Sequence, residues 1–260
     1  MSRLRDPETG CAWDVKQDFH SLIPYTIEEA YEVVDAIERN DFEDLRCELG
    51  DLLLQVVFHS QIAKEHGIFD FEQVAAAISD KLISRHPHVF AGVQFQTDEQ
   101  RQQAWEDAKT AERRQKNSGE APESVLDGVA ASLPALMQCE KVQDRAASHG
   151  FDWPEEEPVF AKVREELQEV HEAWQSGDQP HIQEEIGDLL LVVVNLARHL
   201  NVNPEIALKQ ATKKFSRRFN HIERQVETSG RQLRDCQLEE LDALWNEAKT
   251  LERASAKIPS

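Results

Sequence analysis

The chain has 260 residues, 40% of them hydrophobic, enough for one large domain or two smaller ones that each bury a core. Its 29 Lys and Arg stand against 49 Asp and Glu, a formal net charge of −20, so the basic footprint with which proteins grip duplex nucleic acid or an anionic membrane is missing. The four cysteines form no Cys-x-x-Cys, and the longest strongly apolar run, 189–194, is far shorter than the roughly 18 residues of a membrane span, so neither a zinc framework nor a bilayer helix is expected. The first residues lack the apolar stretch of a signal peptide, and reduced thiols in a cytoplasmic protein are the expectation.

Taken in chain order, the elements are helical. Thr26 is the expected N-cap of a helix running to Ile37, with Glu29 as its capping-box partner. Residues 42–66 form a second helix, in which Leu45, Leu49, Leu52, Leu53, Val56 and Val57 recur at helical spacing. A third covers 71–85, and a fourth starts near Glu99. Residues 115–123, with Asn, Ser, Gly, Glu and Pro, form a polar linker. A short amphipathic helix follows around Leu133, Leu136 and Val142, then helices over 182–200 and 204–228 and a last one from Leu238. The expected fold is all-α, two tandem helical bundles: 1–114, the linker 115–123, and 124–260.

The tandem reading rests on an internal repeat. Glu28, Glu29, Glu32, Glu48 and Asp51 each find an acidic match 137 residues on, at Glu165, Glu166, Glu169, Glu185 and Asp188. The segment from Trp105 to Arg113 matches that from Trp245 to Arg253 at an offset of 140. The first unit has little chain before Gly10 and lacks most of the opening helix of the second.

Residues three or four apart share a helix face. Glu28, Glu29 and Glu32 on one helix, with Glu48 and Asp51 on the next, therefore converge if the short connection makes the two helices antiparallel neighbours. Unit charges about 4 Å apart repel by on the order of 4 kcal/mol at an effective dielectric of 20. A hard divalent cation removes that cost, and Mg²⁺, with Mn²⁺ as a substitute, prefers oxygen donors and is commonly shared with substrate phosphates. The metal ligands expected in the second unit are Glu166, Glu169, Glu185 and Asp188. Both second motifs end in Asp where a di-iron bundle uses His. A non-catalytic, metal-stabilised helical regulator is the alternative to an enzyme.

Glu-Glu-x-x-Glu followed by Glu-x-x-Asp is similar to the motif of the all-α nucleoside triphosphate pyrophosphohydrolases. The tandem arrangement, the opening Arg5-Asp-Pro-Glu-Thr-Gly-Cys-Ala-Trp13-Asp14, Arg85-His-Pro-His-Val-Phe90 and Lys214-Phe-Ser-Arg-Arg-Phe219 resemble the family's two-domain bacterial members, although Ala12 stands where they usually carry Pro. The resemblance implies hydrolysis of a nucleoside triphosphate to monophosphate and pyrophosphate, Mg²⁺ dependence, a homodimer and a nucleotide-pool role. It also tips Trp245 towards nucleotide contact. His86 and His88 flank Pro87 and read as turn or phosphate-side residues rather than metal ligands.

The two halves differ around the repeat. Lys162 stands opposite Tyr25, Glu184 opposite Cys47, and Arg217 opposite Ser84. A triphosphate carries about four negative charges near neutrality, and Arg offers it bidentate contacts. Catalysis is therefore expected in the second unit, with Glu165, Glu166, Glu169, Glu185 and Asp188 as its acids. Lys162, Glu184, Lys214, Arg217, Arg218 and Trp245 are its expected substrate-side residues.

Overall fold

The computed structural model describes residues 1–116 and 124–255, and among them every regular element is helical. The chain divides into two compact units, Met1–Ala121 and Pro122–Ser260. Of the expected linker, residues 117–123 lie outside the described residues.

The first unit opens with turns and a five-residue helix, α1 (Ala12–Lys16), before the long helices α2 (Ile23–Arg39) and α3 (Phe42–Glu65). The expected cap at Thr26 is not realised. Pro24 lies in the first turn, where its fixed φ favours helix entry, so α2 starts at Ile23. Thr26 is then inside the helix, and its hydroxyl donates back to the Leu22 carbonyl at 3.1 Å, the usual resting place for a mid-helix Thr. Asn40 stops α2 in the left-handed conformation (φ 56°), and Asp41 caps α3 by accepting from the Asp44 amide at 3.1 Å. This two-residue reversal lays α2 and α3 side by side.

Leu22, Phe58 and Ile62 are fully enclosed, and Met1 and Phe19 pack on them. Arg5 fastens the N-terminal turns to the end of α3. Its Nη2 pairs with Glu65 at 2.7 Å, and its Nη1 donates to the carbonyls of Asp14 and Gln17. Helix α4 (Phe71–Arg85) begins with a capping box between Asp70 and Gln73. It ends where Pro87 follows, since the residue before proline is driven out of the helical region. The single turn α5 (Pro87–Phe90) and α6 (Asp98–Lys116) complete the unit.

In the second unit α7 (Ala135–Ala147) packs on α9 (Gln179–His199) and α10 (Pro204–Thr228), with α8 (Glu156–Ser176) alongside α9 and α11 (Leu238–Ser255) alongside α10. The expected start of α9 at 182 moves to Gln179, again because a proline, Pro180, sits in the first turn. Gly177 ends α8 at φ 73°, a conformation a Cβ would strain, and Asp178 completes the reversal into α9. Val159, Ala173, Val192, Val194, Ile222, Val226 and Ala248 are buried. Asn203 caps α10 through the Ile206 amide and also donates to Glu140 of α7 at 3.0 Å.

Candidate metal and active site

The tight reversals between α2 and α3, and between α8 and α9, determine which acids meet. In the first unit carboxylate oxygens of Glu29, Glu48 and Asp51 lie within 4.8 Å of one another; in the second, those of Glu166, Glu185 and Asp188 do the same. Each trio takes one acid from the first helix and two, three residues apart, from the second. Glu28 and Glu32, and Glu165 and Glu169, fall outside these trios.

The excluded acids still act on the clusters. Glu29 is pushed above the usual carboxylate range first by burial, then by Asp51, Glu32 and Glu28. Burial likewise raises Glu48, with Glu32, Asp44, Asp51 and Glu29 adding to it. In the second unit Glu169 is raised by burial, then by Glu166, and further by Glu185 and Glu165, with Lys162 opposing. Negative charge thus crowds both volumes, partly offset in the second by Lys162, a condition that an all-oxygen divalent-metal site relieves.

The second cluster is held more firmly. Glu166 is only 6% exposed. Lys162 Nζ donates to Glu165 at 2.6 Å and pairs with Glu166 at 2.7 Å, contacts that hold the ammonium well above lysine's ordinary range. His181 Nε2 donates to Glu185 at 3.0 Å. Its match in the repeat is Asp44, which pushes Glu48 upward instead of orienting it. His181 was absent from the sequence-based set, yet its position four residues before Glu185 on one helix carried the signal. Glu184 is exposed on α9.

The other expected substrate-side residues gather on the α10–α11 pair. Arg218 Nε donates to Glu252 at 2.8 Å, and its guanidinium lies 5.4 Å from the centre of the Trp245 ring. Arg217 reaches the same Glu252 at 3.4 Å, and Trp245 also packs on Phe215. Lys214 is exposed on α10. The first unit repeats the Arg–Glu link: Arg85 donates to Glu112 through Nε at 2.9 Å and Nη2 at 2.5 Å. Glu252 was the residue missed here; its place in the repeat opposite Glu112 was visible. Among the described residues, no hydrogen bond or ion pair joins the Arg217–Arg218–Trp245 group to the carboxylate trio.

A family model, the MazG nucleotide pyrophosphohydrolase domain, matches residues 17–90 and again 155–223. The two matches contain both trios and Lys162, Lys214, Arg217 and Arg218, while Trp245 lies beyond the second. The chain is 52% identical over 254 residues to the nucleoside triphosphate pyrophosphohydrolase of Escherichia coli (strain K12), covering 97% of this chain and 95% of that one. It is 45% identical over 249 residues to the nucleoside triphosphate pyrophosphohydrolase/pyrophosphatase MazG of Thermotoga maritima, covering 96% and 92%.

Proposed function

Since the chain belongs to the MazG nucleotide pyrophosphohydrolase family, we propose that its second carboxylate cluster is an Mg²⁺ site at which a nucleoside triphosphate is cleaved. The enzyme hydrolyses nucleoside triphosphates to the monophosphate and pyrophosphate. The observation that carries the assignment is the convergence of Glu166, Glu185 and Asp188 on one small volume beside Lys162.

The donor set fits the metal: three carboxylates on rigid helices, with further negative charge from Glu169 and Glu165. A bound ion would supply charge neutralisation at phosphate oxygens and would make water at the site more acidic. The chain's own residues do the rest. Glu166, Glu185 and Asp188 would hold the cation, and the His181 hydrogen bond would keep Glu185 in place for it. Glu169, one helical turn beyond Glu166, takes the proton of the attacking water. The water oxygen bonds to the α-phosphorus, the bond from that phosphorus to the α–β bridging oxygen breaks, and pyrophosphate leaves. Lys162 gives up Glu165 to bind the triphosphate, while Lys214, Arg217, Arg218 and Trp245 serve its outer phosphates and base. The domains run 1–114 and 124–260, with 115–123 between them, and the first cluster is structural or only weakly active.

The test is pyrophosphate release from a panel of canonical and altered nucleoside triphosphates. Release with equimolar monophosphate is expected in Mg²⁺ or Mn²⁺ and none in EDTA; release of orthophosphate alone contradicts the reading. The raised carboxyl of Glu169 gives a pH signature. In the metal-free fold its charged form is disfavoured relative to the unfolded chain, so its destabilising cost appears as pH rises above the ordinary carboxylate range and vanishes below it. A cation held beside it by Glu166, Glu185 and Asp188 would favour that charged form, so metal-induced stabilisation on a melting curve should be larger at pH 8 than at pH 5.

No described helix is long and apolar enough to cross a membrane. We place the enzyme in the cytoplasm, where its substrates are. Its α3 and α9 faces support a homodimer: Leu49 and Leu53, and Leu190 and Val193, are about half exposed in a single chain, an apolar surface that a second copy can cover. Light scattering at micromolar concentration should give about twice the chain mass, and Leu190→Glu should lower it to one.

A further inference from the structure

The second unit is built from two helix pairs that divide the site between them. Helices α8 and α9 pack side by side and carry the carboxylate trio with Lys162. Helices α10 and α11 pack on each other and carry the Arg217–Arg218–Trp245 group around Glu252. Between the pairs, α9 meets α10 only narrowly. Hydrolysis needs the two groups at one separation, because a metal at the trio and the cations of α10 must grip the same triphosphate.

Helix α7 straddles that junction: among the described elements it alone packs on both α9 and α10. Two polar ties fasten it, from residues three apart on one face. Gln143 Nε2 donates to the Leu191 carbonyl at 2.8 Å, one turn beyond Asp188. Glu140 Oε2 accepts from Asn203 Nδ2 at 3.0 Å, and Oδ1 of the same Asn203 caps α10 by accepting from the Ile206 amide. Helix α7 thus holds α9 beside a metal ligand and α10 at its origin. From there α10 runs unbroken to Thr228, a rigid arm of roughly 15 Å to Lys214 and roughly 20 Å to Arg218. A tilt of about 5° at the first turn moves those cations by about 1–2 Å, and a misplacement of about 1 Å can cost on the order of a hundredfold in rate.

Stability alone does not call for Gln143. The Leu191 carbonyl lies inside α9, where the helix already supplies a donor. The other end of the amide, Oε1, is shut away from solvent without a partner, a net cost to the fold. An apolar side chain of the same length would avoid that cost but could slide along α9, whereas a directed bond fixes one register. The first unit has neither tie. It has little chain in the place of α7, and Leu54, the repeat's match for Leu191, is 42% exposed. Asp70, the match for Asn203, caps α4 with a carboxylate that has no donor to offer.

We propose that α7 is a brace that sets the spacing between the metal-bearing and phosphate-side helix pairs, with Gln143 and Glu140 as its positioning residues. The identity of the two groups rests on the substrate reading above; the ties themselves do not. The brace gives the asymmetry of the halves a cause beyond charge. The first unit holds a trio and an Arg85–Glu112 link but, among its described residues, no helix tied across them.

The full chain carrying Gln143→Met or Glu140→Met tests the proposal, since Met keeps the length of the side chain and removes the bond. Each variant is titrated with Mg²⁺ alone, then with α,β-methylene-ATP in Mg²⁺, and assayed for pyrophosphate release from ATP. Mg²⁺ alone should bind both variants as it binds the parent, because the trio lies wholly within α8 and α9. The analogue should bind tenfold or more weakly, and kcat/KM should fall at least as far. The melting temperature of Gln143→Met should hold or rise, because the orphaned Oε1 is gone. Glu140→Gln keeps an acceptor for Asn203 and should restore parental binding and turnover. The proposal is overturned if the analogue binds both Met variants as tightly as the parent. It is equally overturned if Mg²⁺ affinity falls in step, which places the effect in the trio, or if Glu140→Gln is as impaired as Glu140→Met. A parent that binds the analogue but releases no pyrophosphate sinks the hydrolysis reading and leaves the binding comparison to decide the brace; a parent that binds no analogue overturns both.

Discussion

Replacing Glu166 and Glu169 together by Gln should abolish pyrophosphate release, a loss of more than about a thousandfold, because it removes a metal ligand and the proton acceptor in one step. Gln keeps the shape of each side chain and deletes its charge. Glu169 is raised first by burial and then by Glu166, so neutralising it relieves a penalty that offsets the loss of the Lys162–Glu166 ion pair, and the metal-free melting temperature should change little. That result separates lost chemistry from lost folding. The matching pair in the first unit, Glu29→Gln with Glu32→Gln, should leave most of the activity, since that cluster has Tyr25 in place of Lys162 and Asp44 in place of His181. If the first-unit pair is the one that kills release while circular dichroism shows an intact fold, the assignment of the halves is reversed.

Lys162→Ala and Arg217→Ala should each cost about 2–4 kcal/mol in transition-state stabilisation, roughly 30- to 1,000-fold in kcat/KM, as loss of a charged donor to a developing oxyanion commonly does. The two should differ in kind. Lys162 neutralises Glu165 and Glu166 in the absence of substrate, at 2.6 and 2.7 Å. Its removal therefore leaves the buried Glu166 unpaired, and the variant should bind Mg²⁺ more tightly while turning over slowly. Arg217 is largely exposed and only loosely tied to Glu252, so its loss should raise KM with little change in metal affinity. Titration of Mg²⁺ beside steady-state kinetics distinguishes them; equal metal affinity in both variants would contradict the place given to Lys162.

Much of the architecture was legible from local patterns. The limits of α4 and α10 could be read because Asp70 and Asn203 cap them and Pro87 stops one of them. The pairing of α2 with α3 followed from the short polar break at Asn40–Asp41. The misreading of Thr26 arose where two local signals competed: a hydroxyl with a Glu three residues on, and a proline two residues before it. Proline prevailed because its φ is already helical, whereas a Thr hydroxyl is equally satisfied by the Leu22 carbonyl.

Periodicity alone determined that these acids lie on helices and that five of them recur as a set, because i, i+3 and i+4 spacing places side chains on one face whatever the helix packs against. It could not rank them. Which oxygens approach within 4.8 Å depends on the rotation of α2 against α3 and of α8 against α9, set by apolar contacts on the opposite faces; that rotation left Glu28 and Glu165 outside the trios and Glu169 beside its own. The contacts of Lys162 and His181 were foreseeable by contrast, because each joins consecutive turns of one helix. The meeting of Arg217 and Arg218 at Glu252, more than thirty positions away, and of Arg218 with Trp245 came only from the docking of α10 on α11.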